Sequence, residues 1–119
     1  MARQIAASVR TPTLSVSVFG SVAKETDRAE SDLDMAFVVK GRAEKASIEE
    51  ELAGEVADRA VSLGASLGPF VITRLDLQRR FRAGDPFVRE VASTSRHVSG
   101  GLLMEVISGV SSRRQDPED

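Results

Sequence analysis

Four residues in this 119-residue chain have types and spacing suited to phosphate chemistry: Gly20-Ser21 and, after ten intervening residues, Asp32 and Asp34 on either side of Leu33. A glycine lets the backbone turn tightly and approach a ligand closely, and a serine beside it adds a hydroxyl and an N–H where a helix N-terminus favours anions. Two aspartates spaced i, i+2 on a strand project from one face with their roots roughly 7 Å apart, close enough to share a hard cation. Phosphoryl and nucleotidyl transfer need both devices together: donors for phosphate oxygens and carboxylates that hold Mg²⁺ against them.

The surrounding pattern supplies the elements that would position these groups. Leu14, Val16 and Val18 alternate with Ser15 and Ser17, so a strand is expected to run directly into Gly20. Leu33, Met35, Phe37 and Val39 alternate with Asp32, Asp34, Ala36 and Val38, which begins a second strand with both carboxylates on one face and Leu33 turned into the core. The polar stretch from Val22 to Ser31 reads as a short helical turn and a loop. A short helix is expected over residues 2–10, stopped by Pro12. Ser47 and Glu50 have capping-box spacing, and Ile48, Leu52, Val56 and Ala60 form one helical stripe that closes at Gly64. Residues 67–73 read as a third strand. Thr73 then caps a helix carrying Leu77 and Phe81, and Asp85-Pro86 starts another that runs to about Ser95 with His97 just beyond it as an ordinary helix-end residue. The run GGLLMEVISGV fits a strand or a helix equally well. The expected fold is α/β (α+β): one domain over residues 1–110, a short mixed sheet with helices on one side, and a polar, disordered tail over 111–119.

Composition narrows the chemistry. Without cysteine there is neither a disulfide framework nor a thiolate site, and a single histidine leaves carboxylates as the ligands for a hard cation such as magnesium. Sixteen basic and eighteen acidic residues nearly cancel, so overall charge does not indicate nucleic acid and any anion must be held locally. No stretch suits a membrane span or a secretory signal, which makes a cytoplasmic protein the expectation.

The string GSVAKETDRAESDLDMAFVV resembles the GS-x10-DxD signature of the minimal nucleotidyltransferases, in the DNA polymerase β-like superfamily. Lys24, three residues after the serine, and Ser31, before the first aspartate, match habits of that family. The later run PFVITRLDLQRRFRAGDPFVREV looks like the C-terminal part of related bacterial proteins, several of which carry a winged helix-turn-helix ahead of this domain; the likeness spans about residues 14–101, loosely after the first third. The resemblance implies a nucleotidyltransferase fold. It further implies Mg²⁺ and ATP or another nucleoside triphosphate, with Asp32 and Asp34 as catalytic metal ligands and Gly20, Ser21 and Lys24 holding the phosphates. An acceptor hydroxyl would attack the α-phosphorus, and the resemblance extends to antitoxins that transfer AMP to a partner toxin, which makes a protein acceptor the expectation. Self-association is left open.

Competing readings are weaker. An ordinary turn and two surface aspartates would not explain the strand context. A calcium loop fails because Ala36 and Phe37 stand where it needs an acid or amide and a glycine. Active relatives place a third carboxylate on a later strand, whereas residues 67–73 contain none, and Asp76 reads more simply as a first-turn helix residue. The alternative is therefore a nucleotide-sensing or partner-binding module with impaired catalysis. Arg74, Arg79, Arg80 and Arg82 read as a solvated helix face, and the residues ahead of Leu14 are too few for a DNA-reading domain.

Overall fold

The computed structural model describes residues 1–20 and 31–109. Four strands, β1 (Ser15–Phe19), β2 (Ser31–Val39), β3 (Ala65–Thr73) and β4 (Arg96–Gly100), form one mixed sheet in the order β3-β2-β1-β4. β1 lies antiparallel to β2 and β4, and β2 lies parallel to β3. A parallel pair cannot be closed by a hairpin, so the chain crosses between β2 and β3 through α2 (Arg42–Ala53) and α3 (Glu55–Ser62). The remaining helices are α1 (Ala2–Ser8), α4 (Arg74–Arg82), α5 (Pro86–Thr94) and α6 (Leu103–Ser108). Among the described residues no helix is long and apolar enough to cross a membrane.

Helices cover both faces of the sheet, not the one face expected. Val16 and Val18 of β1 and Leu33, Met35, Phe37 and Val39 of β2 pack under Ile5 of α1, Ile48 and Leu52 of α2, and Val56 and Ala60 of α3. On the reverse face, Phe19, Ala36, Val38 and Ile72 pack under Leu77 of α4, Val88 and Val91 of α5, and Leu103 and Ile107 of α6. The second layer escapes a simple periodic reading because its helices are short and contribute only one or two buried residues each.

The apolar stripe Ile48, Leu52, Val56 and Ala60 is buried as its spacing predicts. The helical segment starts earlier, however, with Gly41 as N-cap, and Gly54 divides it in two (φ −116°, ψ −108°). Ser47 therefore sits mid-helix and caps nothing; its hydroxyl meets Thr11 Oγ1 at 2.8 Å, while Thr11 Oγ1 also donates to Glu51 at 2.6 Å. The strong helix formers of RAEKA extend the helix backwards past the capping-box pattern. The two later caps form as expected: Thr73 Oγ1 accepts from the Asp76 N–H, and Asp85 Oδ1 accepts from the N–H groups of Phe87 and Val88.

The ambiguous C-terminal run becomes a helix, and the strand before it, RHVSG, is one the sequence pattern does not announce. His97 thus lies on an edge strand and not at a helix end, with Nε2 2.8 Å from the Gly100 carbonyl. The tail and the helical turn expected after Val22 lie outside the described residues.

All five residues of β1 are buried, including Ser15 and Ser17, whose hydroxyls have no hydrogen-bond partner. An unpaired buried hydroxyl costs about 1–3 kcal/mol. Ser15→Ala and Ser17→Ala should therefore each raise the denaturant midpoint at unchanged m-value, a stability gain of about 1 kcal/mol. A second prediction concerns acid. The Val88 N–H, helped by Arg80, holds the Asp85 carboxyl below its ordinary value of 3.8. A folded-state pKa below the unfolded one stabilises fully above the ordinary value and is lost as pH falls through the folded one. Acid unfolding below about pH 4 should accordingly be shallower in Asp85→Asn, which keeps the capping oxygen but does not titrate.

Candidate functional site

The sheet register collects the sequence-predicted groups at one end. Phe19, the last residue of β1, stands opposite Asp34, and Gly20 follows immediately. On the other side of β2, Asp32 pairs with Ser66 and Asp34 with Gly68. Strand alternation puts Asp32 and Asp34 on the face covered by α4–α6, while Leu33 between them is buried in the opposite layer.

The two aspartates differ in setting: Asp32 is exposed and Asp34 is half-buried. Burial, and then the neighbouring charge of Asp32, push the Asp34 carboxyl above its ordinary value. Two glycines make room for it. A Cβ on Gly20 would stand 2.8 Å from Asp34 Oδ2, and a Cβ on Gly68 would stand 2.8 Å from Asp34 Oδ1. The carboxylate is thus seated between two bare stretches of backbone. Gly20 also has φ +80°, a conformation side-chain-bearing residues rarely adopt. Gly68 was legible only as an irregularity in a strand, although a glycine inside a strand is itself a sign of close approach.

A divalent cation fits this donor set. Two carboxylates on one face offer hard oxygen ligands, and a positive charge would relieve the repulsion that raises Asp34. Magnesium commonly takes only one or two protein carboxylates and completes its shell with water and substrate phosphate. Among the described residues there is no cluster of three or more potential metal-ligating side chains. Ser21 and Lys24 lie outside the described residues.

The register also decides between the two readings of Asp76. Gly68 is level with Asp34, but Asp76 follows Thr73 at the far end of β3, level with Val39. Five residues of strand separate those levels by about 16 Å. The Asp76 carboxylate accepts from the Arg79 guanidinium on the exposed side of α4. Arg80 is paired with Asp85 at 3.0 Å, and its guanidinium lies 5.9 Å from the Phe70 ring centre. The arginines of α4 are thus partly committed to its own surface, as expected, with Arg80 reaching toward the aromatic residues beside the site. A separate groove of about 400 Å³, lined by Arg10, Thr11, Pro12, Ser47 and Glu51 among others, lies at the opposite end of the sheet.

Taken together, the four-stranded mixed sheet and its helices define an α+β domain with a nucleotidyltransferase-like fold. The chain is similar to a solved structure of a toxin-antitoxin with AMP-PNP, which aligns over 89% of this chain and 81% of its own at 15% identity and a TM-score of 0.53. It also aligns with a mutant of the toxin-antitoxin MntA-HpeT, over 89% of this chain and 80% of that one at 12% identity and a TM-score of 0.48. At such identity the likeness shows the fold alone. No protein-family model and no curated protein matches the sequence.

The two glycines make different predictions. Gly68 has no strained φ, so Gly68→Ala should keep the thermal midpoint while displacing the Asp34 carboxylate and weakening divalent-cation binding by about 10- to 100-fold. Gly20→Ala should lose cation binding and also about 1–2 kcal/mol of stability, because its backbone is left-handed. Calorimetric titration with Mn²⁺ or Mg²⁺, paired with thermal melts, separates the two.

Proposed function

We propose that the domain binds a magnesium–nucleoside triphosphate at the Gly20/Asp32/Asp34 end of the sheet and transfers the nucleoside monophosphate to an acceptor hydroxyl. The observation that carries this reading is the seating of Asp34 between Gly20 and Gly68, with Asp32 beside it on the same face. Asp32 and Asp34 would hold the metal. When bound, Mg²⁺ supplies charge neutralisation to the phosphates and the departing pyrophosphate. Gly20 lets the backbone come close to the phosphates, and the Ser21 hydroxyl and N–H with Lys24 bind the β- and γ-phosphates. The acceptor oxygen forms a bond to the α-phosphorus as the α–β bridging P–O bond breaks, pyrophosphate leaves, and the hydroxyl proton passes to solvent. Positioning and electrostatic preorganisation account for most of such catalysis, so few residues suffice. The similarity to a toxin-antitoxin crystallised with AMP-PNP supports a nucleotide as ligand and a partner toxin protein as acceptor.

One observation favours a second reading, in which the domain senses a nucleotide without turning it over. β3 offers Ser66, Gly68 and Phe70 beside the aspartates and no carboxylate, and Asp76 is too distant to substitute. A missing metal ligand or general base costs on the order of 10²-fold in rate.

Mg²⁺-dependent binding of ATP should be lost in the Asp32→Asn, Asp34→Asn double variant while its fold survives; equal affinity in the double variant would refute the site. Incubation with labelled ATP, Mg²⁺ and the native partner should then transfer label covalently over hours, and Asp32→Ala should stop it. Tight binding with no transfer to any co-purified protein would establish the sensor instead.

A further inference from the structure

We propose that the exposed surface of Phe87 is the platform on which the nucleotide's base stacks, and that the site therefore selects triphosphates by stacking area and not by the base's hydrogen-bonding pattern. This rests on the reading of Gly20, Asp32 and Asp34 as the phosphate and metal end of the same site.

The chain has no tryptophan or tyrosine, so an aromatic platform must come from its five phenylalanines. Four are committed elsewhere. Phe37 is fully buried and Phe19 nearly so. Phe81 is covered by the Arg89 guanidinium, 4.4 Å from its ring centre. Phe70 is half-buried between two other rings and has Arg80 on its flank. Phe87 alone among them is 43% exposed, and it is fixed in place. Its ring centre is 5.8 Å from that of Phe19 and 4.9 Å from that of Phe70, nearly perpendicular to both. Its backbone N–H is held by the Asp85 cap.

The position connects this ring to the phosphate end. Phe19 is the residue directly opposite Asp34 and directly before Gly20. A ligand anchored by its phosphates at Gly20 and Asp34 therefore meets Phe87 one ring beyond that anchor. An exposed apolar ring packed on the strand partner of Asp34 has little to gain from water, whereas a base has an aromatic face to cover it whatever its identity. Among the described residues, Asp85, which caps the helix that carries Phe87, has one oxygen on two backbone N–H groups and the other on Arg80, so it is not offered to a base edge. Stacking area then ranks the ligands, purines ahead of pyrimidines, with ATP and GTP alike.

The test compares ATP with inorganic tripolyphosphate, both with Mg²⁺, on the full chain. Phe87→Ala should weaken ATP about tenfold, within the range of base–aromatic stacking, and leave tripolyphosphate unchanged. Phe87→Leu, which keeps apolar volume and guards against a folding defect, should behave like Phe87→Ala. Phe87→Trp introduces the chain's single indole; ATP and GTP should quench its fluorescence and tripolyphosphate should not. The proposal is overturned if Phe87→Ala leaves ATP affinity intact, weakens both ligands equally, or weakens only association with a protein partner, or if ATP and GTP differ widely in wild type. If tripolyphosphate binds and Asp32→Asn with Asp34→Asn abolishes that binding, the phosphate site stands even where the Phe87 proposal has failed; if neither ligand binds wild type, both fall.

Discussion

The register of β2 is the constraint on which everything else here depends. A strand has a period of two, so sliding β2 by one residue against its neighbours would turn Leu33, Met35 and Phe37 out of their layer and drive Asp32 and Asp34 into it. Burial of Met35, Phe37 and Val39, each fully enclosed, forbids that slip. The same hydrophobic pattern that stabilises the domain therefore aims the carboxylates. Because β2 is central, with β1 on one side and β3 on the other, its register also determines which residues of both neighbours flank Asp34.

Those flanking positions explain how a half-buried acid is tolerated at this point. Desolvation and the charge of Asp32 both act against ionisation of Asp34, and among the described residues no ion pair compensates it. The fold instead removes side chains on both sides, at Gly20 and Gly68, and leaves the carboxylate fitted to backbone. A like-charged pair held this way suits the proposed cation, whereas Asp76 already has Arg79 on its own helix and Asp85 has Arg80 of α4. Environment, more than residue type, distinguishes the acids of this protein.

The two helical layers divide the remaining work. α1, α2 and α3 close the face carrying Leu33, Met35, Phe37 and Val39, and the N-terminal segment is tied to them by Thr11 and by Arg10, whose guanidinium meets Glu55 at 2.5 Å. α4, α5 and α6 cover the face that carries the aspartates, and they bring Phe87 and Arg80 to its margin. A crossover of helices between parallel strands and a second set after β3 is what lets a chain of this size enclose both faces and still leave one sheet end for a ligand.

Much of this was legible in the residues themselves. Alternation in β1 and β2, the stripe Ile48-Leu52-Val56-Ala60, the caps at Thr73 and Asp85 and the side-by-side placement of Asp32 and Asp34 are local or periodic features, and periodicity is carried by the sequence without knowledge of partners. The short strand RHVSG was not legible, because five exposed or half-buried residues at an edge carry no pattern that pairing alone does not create. Ser47 has the spacing of a cap but lies inside a helix whose start is decided by the residues before it. Gly68 against Asp34 and Phe87 against Phe19 join residues 34 and 68 positions apart, and Asp76, 42 positions after Asp34, is set at the other end of β3 by the strand register. Only the tertiary structure decided them, since contacts between elements follow from sheet order and register, which no local run of residues encodes.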